Sequence, residues 1–252
     1  MGDGEFAGRT ALVTGGAKGI GRACCDALAE QGARVAINYL SSREQAERAA
    51  ADIRERGGQA RAFAADVSQH EQVEQLVRNV EDELGPIDLL VNNAGVFDFV
   101  AHDETTPELW RRTLDCNLTS AYLVSWAVKT SMIERRFGRI VNVASIAALR
   151  ARPMSIAYAV SKAGMVALTK SLAEAVAEHG VRVNAIAPGL IQTEILDGVD
   201  QASLDALIAA TPMKRIGQPD DISDVVVFLL SDRSRFMTGQ TLVASGGRVK
   251  LP

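Results

Sequence analysis

Cysteine, histidine and long apolar runs are all scarce in this chain of 252 residues. Cys24 and Cys25 are adjacent and Cys116 is far away, an odd, sparse set without a CxxC spacing. That excludes a disulfide framework and suits reduced thiols. His70, His102 and His179 are scattered, so no metal centre is expected. The longest clean apolar run, Val225 to Leu230, is far short of a membrane span. A basic surplus is missing too: 27 Lys and Arg against 31 Asp and Glu give a formal charge of −4. Neither a broad nucleic-acid footprint nor an anionic membrane surface fits that balance. Met1 to Arg9 contain acidic residues and no apolar stretch, so no secretory signal is expected and the default location is the cytoplasm. Residues 1–8 are expected to form a flexible tail.

What is present is an ordinary globular composition, 47% hydrophobic and 23% charged. Short apolar runs alternate with helix-like stretches. Strands are expected over Ala11 to Thr14, Arg34 to Asn38, Gln59 to Ala64, Asp88 to Asn92, Arg139 to Val143, Arg182 to Ala187 and Thr241 to Ala244. Helices are expected over Gly19 to Gln31, Ser42 to Arg56, Gln69 to Leu84, Pro107 to Ile133, Ile156 to His179 and Asp220 to Leu230. Val73, Leu76, Val77 and Val80 share one face of the third helix. Alternation of this kind predicts an α/β fold, a doubly wound parallel sheet with helices on both faces. No composition break divides the chain, so one domain over 1–252 is expected.

The first strand runs into Thr14-Gly15-Gly16-Ala17-Lys18-Gly19-Ile20-Gly21 and then a helix. Glycines there permit a tight turn and a close backbone approach to a pyrophosphate, which the helix N-terminus attracts. No Gly-Lys-Ser/Thr follows, which excludes a Walker-type loop.

Tyr158 and Lys162 lie four apart on a predicted helix and so share a face. Three Tyr and six Lys in 252 residues give about 0.07 such pairs by chance. A phenol beside an ammonium is expected to have a lowered pKa and to exchange protons near neutral pH. Ser145 ends a predicted strand. The Gly turn, Asn92, Ser145 and Pro188-Gly189 all follow predicted strands, so all are expected at the carboxyl edge of the sheet, where parallel sheets bind ligands.

The TGxxxGxG spacing, Asp66-Val67, Asn92-Asn93-Ala94-Gly95, Asn117, Ser145, Tyr158-x-x-x-Lys162 and Pro188-Gly189 with Thr193 together resemble the short-chain dehydrogenase/reductase family along nearly the whole chain. The resemblance implies a single NAD(P)-binding Rossmann domain. It implies Tyr158 as general acid/base, Lys162 lowering its pKa and holding the nicotinamide ribose, Ser145 on the substrate oxygen, and Asn117 holding a relay water. Cofactor contacts are implied at Gly15, Lys18, Gly19, Ile20, Gly21, Asp66, Val67, Asn93, Ala94, Gly95, Tyr158, Lys162, Pro188, Gly189, Ile191 and Thr193.

The second strand ends on Asn38 rather than an acid. With Ser41, Ser42, Arg43 and Lys18 nearby, NADP(H) is expected to be preferred over NAD(H). The resemblance implies a substrate wall from Ile146, Ala147, Leu149, Met154, Ile156, Leu190, Ile195, Leu196 and Leu207, which is mostly apolar, with residues 190–219 long enough to be a lid. Arg150 and Arg152 could meet an anionic substrate, but are read as solvent-facing loop cations. Within the family the chain is most similar to 3-oxoacyl-(acyl-carrier-protein) reductases, and Arg135-Arg136 resembles a carrier-docking patch. The expected substrate is therefore a carbonyl or secondary alcohol, such as a carrier-bound 3-oxoacyl thioester. The alternatives are a ketone, sugar or polyol, or a non-catalytic dinucleotide-binding regulator. Resemblance also implies a homotetramer pairing the two long helices, for which Ala121, Trp126, Ala163, Val166 and Leu172 serve equally as interface or core.

Overall fold

The strand Thr10–Val13 (β1) is buried along its whole length and has a parallel neighbour on each side, Arg34–Tyr39 (β2) and Ile87–Asn92 (β4). Its side chains alternate between two cores: Ala11 and Val13 join one cluster and Leu12 the other. A strand apolar on both faces must be covered on both. The computed structural model describes residues 4–196 and 200–249. Their seven parallel strands run in the order β3-β2-β1-β4-β5-β6-β7, with Gln59–Ala64 as β3, Gly138–Val143 as β5, Val181–Pro188 as β6 and Thr241–Ala244 as β7.

One face carries Gly19–Glu30 (α1), Arg43–Glu55 (α2) and Pro219–Leu230 (α8), which bury Leu28, Ile53 and Val226. The other carries His70–Leu84 (α3), Ser120–Glu134 (α5) and Ile156–Val176 (α6), which bury Leu76, Val128 and Leu172. Each such aliphatic side chain contributes about 1.5–3 kcal/mol by leaving water. This is the expected doubly wound α/β arrangement in a single sheet.

Three departures matter. The helix expected over Pro107 to Ile133 is divided: Pro107–Leu114 (α4) and α5 are joined by a π-helical turn, Asp115–Thr119, that centres on Asn117. The start of α4 is as expected, with Thr106 Oγ1 accepting from Leu109 N at 3.2 Å and Pro107 following. A further helix, Gln201–Ala209 (α7), lies within the segment expected as a lid, of which residues 197–199 and the Ile195 side chain lie outside the described residues.

The third departure corrects the flexible tail. Residues 1–3 lie outside the described residues, but Phe6 is only 3% exposed and packs into the core beneath α1. Its amide donates to Gln31 O at 2.8 Å, and Glu5 Oε1 accepts from Asp232 N. A buried phenyl ring outweighs the ordering entropy of the few residues that carry it.

Candidate active site

The strands end on one edge, and the chemistry-bearing residues collect there. In the turn between β1 and α1, Gly15 and Gly19 have φ of +60° and +55°. At Gly21 a Cβ would lie 2.3 Å from Gly15 O, so only glycine closes this turn. Lys18 is the N-cap of α1 and makes no capping hydrogen bond with its side chain, and the first turn carries no acid. The helix therefore presents unpaired N–H groups and a positive dipole end, a fit for the pyrophosphate of a dinucleotide.

Thr14 organises the facing loop. Its Oγ1 accepts from both Asn93 N and Ala94 N at 3.0 Å. Asn93 Nδ2 donates to Thr14 O at 3.0 Å and to Gly15 O at 3.1 Å. Thr193 seals the other flank, where a Cβ on Gly19 would touch its methyl at 3.2 Å. Beside it the Lys18 ammonium pairs with the Glu194 carboxylate. Gly15, Asn93, Ala94, Gly19 and Thr193 are thus brought together, with Ile20 and Gly21 opening α1.

At the end of β2, Asn38 is buried and committed to the sheet. Its Nδ2 donates to Ala65 O at 3.1 Å and Phe63 O at 3.4 Å, and its Oδ1 faces Gly15 N at 3.4 Å. Ser41 is exposed and Ser42 half-buried at the start of α2. Asp66 forms an Asx turn, accepting from Ser68 N and Oγ at 2.9 and 2.7 Å, and Val67 is buried beside it. Asn92 does not face the cleft. It lies in a buried amide chain, donating to Asn142 Oδ1 and Ser125 Oγ at 2.9 Å, while Asn142 donates to Thr169 Oγ1 at 2.8 Å. That chain ties β4 and β5 to α5 and α6.

Ser145, Tyr158, Lys162 and Asn117 form the floor. Ser145 Oγ accepts from Ala147 N at 3.1 Å, which leaves its own hydrogen to donate. Tyr158 packs edge-on against Phe97, ring centroids 5.0 Å apart. Lys162 is 4% exposed, with Nζ donating to Val143 O at 2.8 Å and 5.8 Å from the Tyr158 ring centroid. Asn117 is fully buried: Oδ1 accepts from Val96 N at 2.7 Å, and Nδ2 donates to Val96 O at 2.9 Å and Ser161 Oγ at 3.0 Å. Ser161 in turn donates to Tyr158 O at 2.7 Å. The side chain of Asn117 therefore braces the loop after β4 against α6.

The electrostatics correct one expectation. Burial pushes the Tyr158 phenol up, and the Ser145 hydroxyl and the Arg152 charge only partly offset it. Lys162 donates to the Val143 carbonyl and is itself pushed down to about 8 by burial. Burial also raises Cys24 to about 12 and holds Cys25 well above a free thiol, so this pair is inert.

Past the floor, Pro188 ends β6. Gly189 packs against Ser245 so tightly that a Cβ would lie 2.7 Å from its Cα. Ile191 is buried and bridges to Gly217. A cavity of about 380 Å³ opens beside it, walled by Leu190, Thr211, Met213 and Ser245. Ile146 and Ala147 are buried under the cleft, whereas Met154 and Ile156 are exposed. Arg135 and Arg136 are at the opposite edge of the sheet and already engaged. Arg135 pairs with Asp88 and donates to Ile87 O at 2.6 Å, and Arg136 donates to Glu178 O at 2.9 Å. Among the described residues no cluster of three His, Cys, Asp or Glu could hold a metal ion.

Thr14, Phe97 and Ser161 were not singled out from the sequence. Thr14 had a signal in its place before Gly15. Phe97 and Ser161 had none, since their roles come from packing.

A family model described as enoyl-(acyl carrier protein) reductase matches residues 15–248. A 3-oxoacyl-(acyl-carrier-protein) reductase FabG of Staphylococcus epidermidis is 35% identical over 95% of this chain and 98% of its own length. An acetoacetyl-CoA reductase of Rhizobium meliloti is 40% identical over 95% of this chain and 98% of its own. The crystal structure of gox2181 superposes with a TM-score of 0.92 at 39% identity, covering 96% of both chains.

Proposed function

Because the chain belongs to the short-chain dehydrogenase/reductase family, an NAD(P)-dependent oxidoreductase group, we propose that it reduces a 3-oxoacyl thioester with NADP(H). The observation that carries this reading is the meeting of Ser145, Tyr158 and Lys162 on one sheet edge beside a glycine turn shaped for a dinucleotide. The names of two relatives, a 3-oxoacyl-carrier reductase and an acetoacetyl-CoA reductase, support the thioester.

The Gly15 to Gly21 turn would hold the pyrophosphate, Asn93 to Gly95 and Thr193 the nicotinamide side, and Asp66 and Val67 the adenine. When bound, the reduced cofactor supplies a hydride. The protein handles the proton. Tyr158, kept protonated by burial, donates its hydrogen to the substrate oxygen as negative charge grows there. Ser145, whose oxygen is occupied by Ala147 N, donates a second hydrogen bond to the same oxygen. Lys162 keeps a positive charge below the phenolate that forms. Asn117 holds the loop after β4 and, through Ser161, the first turn of α6.

The preference for NADP(H) is supported by the lack of a carboxylate at the end of β2 and by the cation Arg43 that follows Ser41 and Ser42. We place the protein in the cytoplasm as a homotetramer built on α5 and α6.

The test follows NADPH absorbance with acetoacetyl-CoA, with NADH in parallel. Turnover is expected with NADPH at a clearly lower KM than with NADH. Tyr158→Phe is expected to lose about 10²–10⁴-fold in kcat while still binding NADPH. Unchanged turnover in that variant would reject Tyr158 as the acid. Rates in the reductive direction are expected to fall as pH rises through the phenol pKa, and oxidative rates to rise.

A further inference from the structure

We propose that Phe97 is a positioning residue for the proton transfer: held in the strap after β4, its ring seats the Tyr158 ring, keeps water from the phenol, and so sets the pH range over which Tyr158 serves as the acid. The inference rests on the reductase reading, whose acid is Tyr158.

The strap is built to hold this ring in place. Its residues alternate, with Val96, Asp98 and Val100 half-buried and Gly95, Phe97 and Phe99 outward. Each inward residue is tied. Asn117 holds both backbone groups of Val96, at 2.7 and 2.9 Å. Arg112 Nη2 donates to the two Asp98 oxygens at 2.8 and 2.6 Å. Val100 N donates to Met154 O at 2.8 Å, which fastens the strap to the segment leading into α6. Ties on both sides of Phe97 fix its backbone, so its ring has only the staggered rotamers to choose from.

The ring does not enter a core. Phe97 is 37% exposed against 71% for Phe99 on the same side of the strap, and Tyr158 is the aromatic that Phe97 meets. The two rings stand edge-on, centroids 5.0 Å apart and planes at 85°, a favoured geometry for an aromatic pair. Tyr158 is itself only half-buried, so a phenyl ring laid on it displaces water that would otherwise reach it. The titratable and charged groups that face the phenol come from elsewhere. They are the Ser145 hydroxyl after β5, the Arg152 guanidinium before α6, and the Lys162 ammonium, 5.8 Å from the ring centroid. Asp98 lines a narrow crevice with Tyr158, but its carboxylate is taken by Arg112. Shortening Phe97 removes cover and none of these groups, so the phenol becomes easier to ionise.

The test is the pH profile of acetoacetyl-CoA reduction by NADPH. In Phe97→Ala the loss of rate at high pH is expected to set in about 0.5–1 pH unit lower, a fraction of the shift that full burial produces. Its kcat at neutral pH is expected to fall about ten-fold as the phenol loses its support, with KM for NADPH within about two-fold. Phe97→Leu keeps an apolar cover and is expected to restore the profile. Phe99→Ala removes the same ring from the outward neighbour and is expected to leave profile and kcat unchanged. If Phe97→Ala is slower at every pH with the profile unmoved, or if Phe99→Ala moves it equally, the proposal is overturned. Phenolate absorbance of each protein, less that of its Tyr158→Phe counterpart, follows the same ionisation without turnover. Should acetoacetyl-CoA not be reduced while Phe97→Ala still moves that ionisation, the thioester reading fails and the role of Phe97 stands. An unmoved ionisation removes that role whatever the substrate.

Discussion

Lys162 shows at the scale of one residue what the site costs the fold. Its ammonium is buried with one carbonyl partner, Val143 O, and its pKa falls to about 8. A base whose folded pKa lies below its unfolded value destabilises the fold. That cost stands in full below about pH 8 and fades as pH rises toward the free lysine value near 10.4. Lys162→Met is therefore expected to raise stability at pH 7 by roughly 2 kcal/mol, after allowing for the hydrogen bond lost at Val143, while removing activity. Urea denaturation at pH 7 and pH 10 checks this, since the gain should shrink at the higher pH. Residue identities at the site were legible because Ser145, Tyr158 and Lys162 stand at spacings that strand ends and helix turns impose. Their electrostatics were not. An ammonium four residues away reads as a neighbour that lowers the phenol pKa, whereas the burial that raises it leaves no mark in the spacing.

At the scale of elements, β6 carries a charge inside an apolar strand. Arg182 is 7% exposed and donates to Leu229 O, Ser231 O and Ser234 O at 2.8–3.1 Å. Its guanidinium thus satisfies the carbonyls that end α8, and burial with the nearby Arg139 charge brings its pKa to about 10. Arg182→Met is expected to cost about 3 kcal/mol by stranding those carbonyls, read as a lower denaturation midpoint at unchanged slope. Most elements were legible to within a residue or two, because alternation and helical period record burial directly. The π turn at Asp115–Thr119 was not. One extra residue per turn leaves the apolar pattern almost intact, and what selects it is the Asn117 amide bonding Val96 and Ser161. Phe6 escaped for a related reason, since a lone aromatic in an acidic leader has no period to reveal its pocket.

Across the whole molecule, the sheet and its two cores followed from alternation alone, whereas the division of helix residues between core and outer surface did not. Ala121 and Leu172, equally suited to core or interface by sequence, are buried within the chain. Tyr122 and Trp126 on α5 stack on each other while remaining 40% and 41% exposed, and Ile156 and Val160 on α6 are exposed as well. Exposed apolar side chains on both helices suit helix pairing between copies. Trp126→Glu is expected to shift the sedimenting species toward the 26.9 kDa monomer, and an unchanged assembly would exclude α5 from the interface.

Strand order also governs how this chain is made. β1 is translated early, yet one of its two neighbours is β4, whose pairing begins at Ile87. At roughly 5–20 residues per second, β1 waits several seconds with that edge unpaired. The nascent chain therefore passes through a stage in which a strand that ends up buried along its whole length has only β2 as a partner.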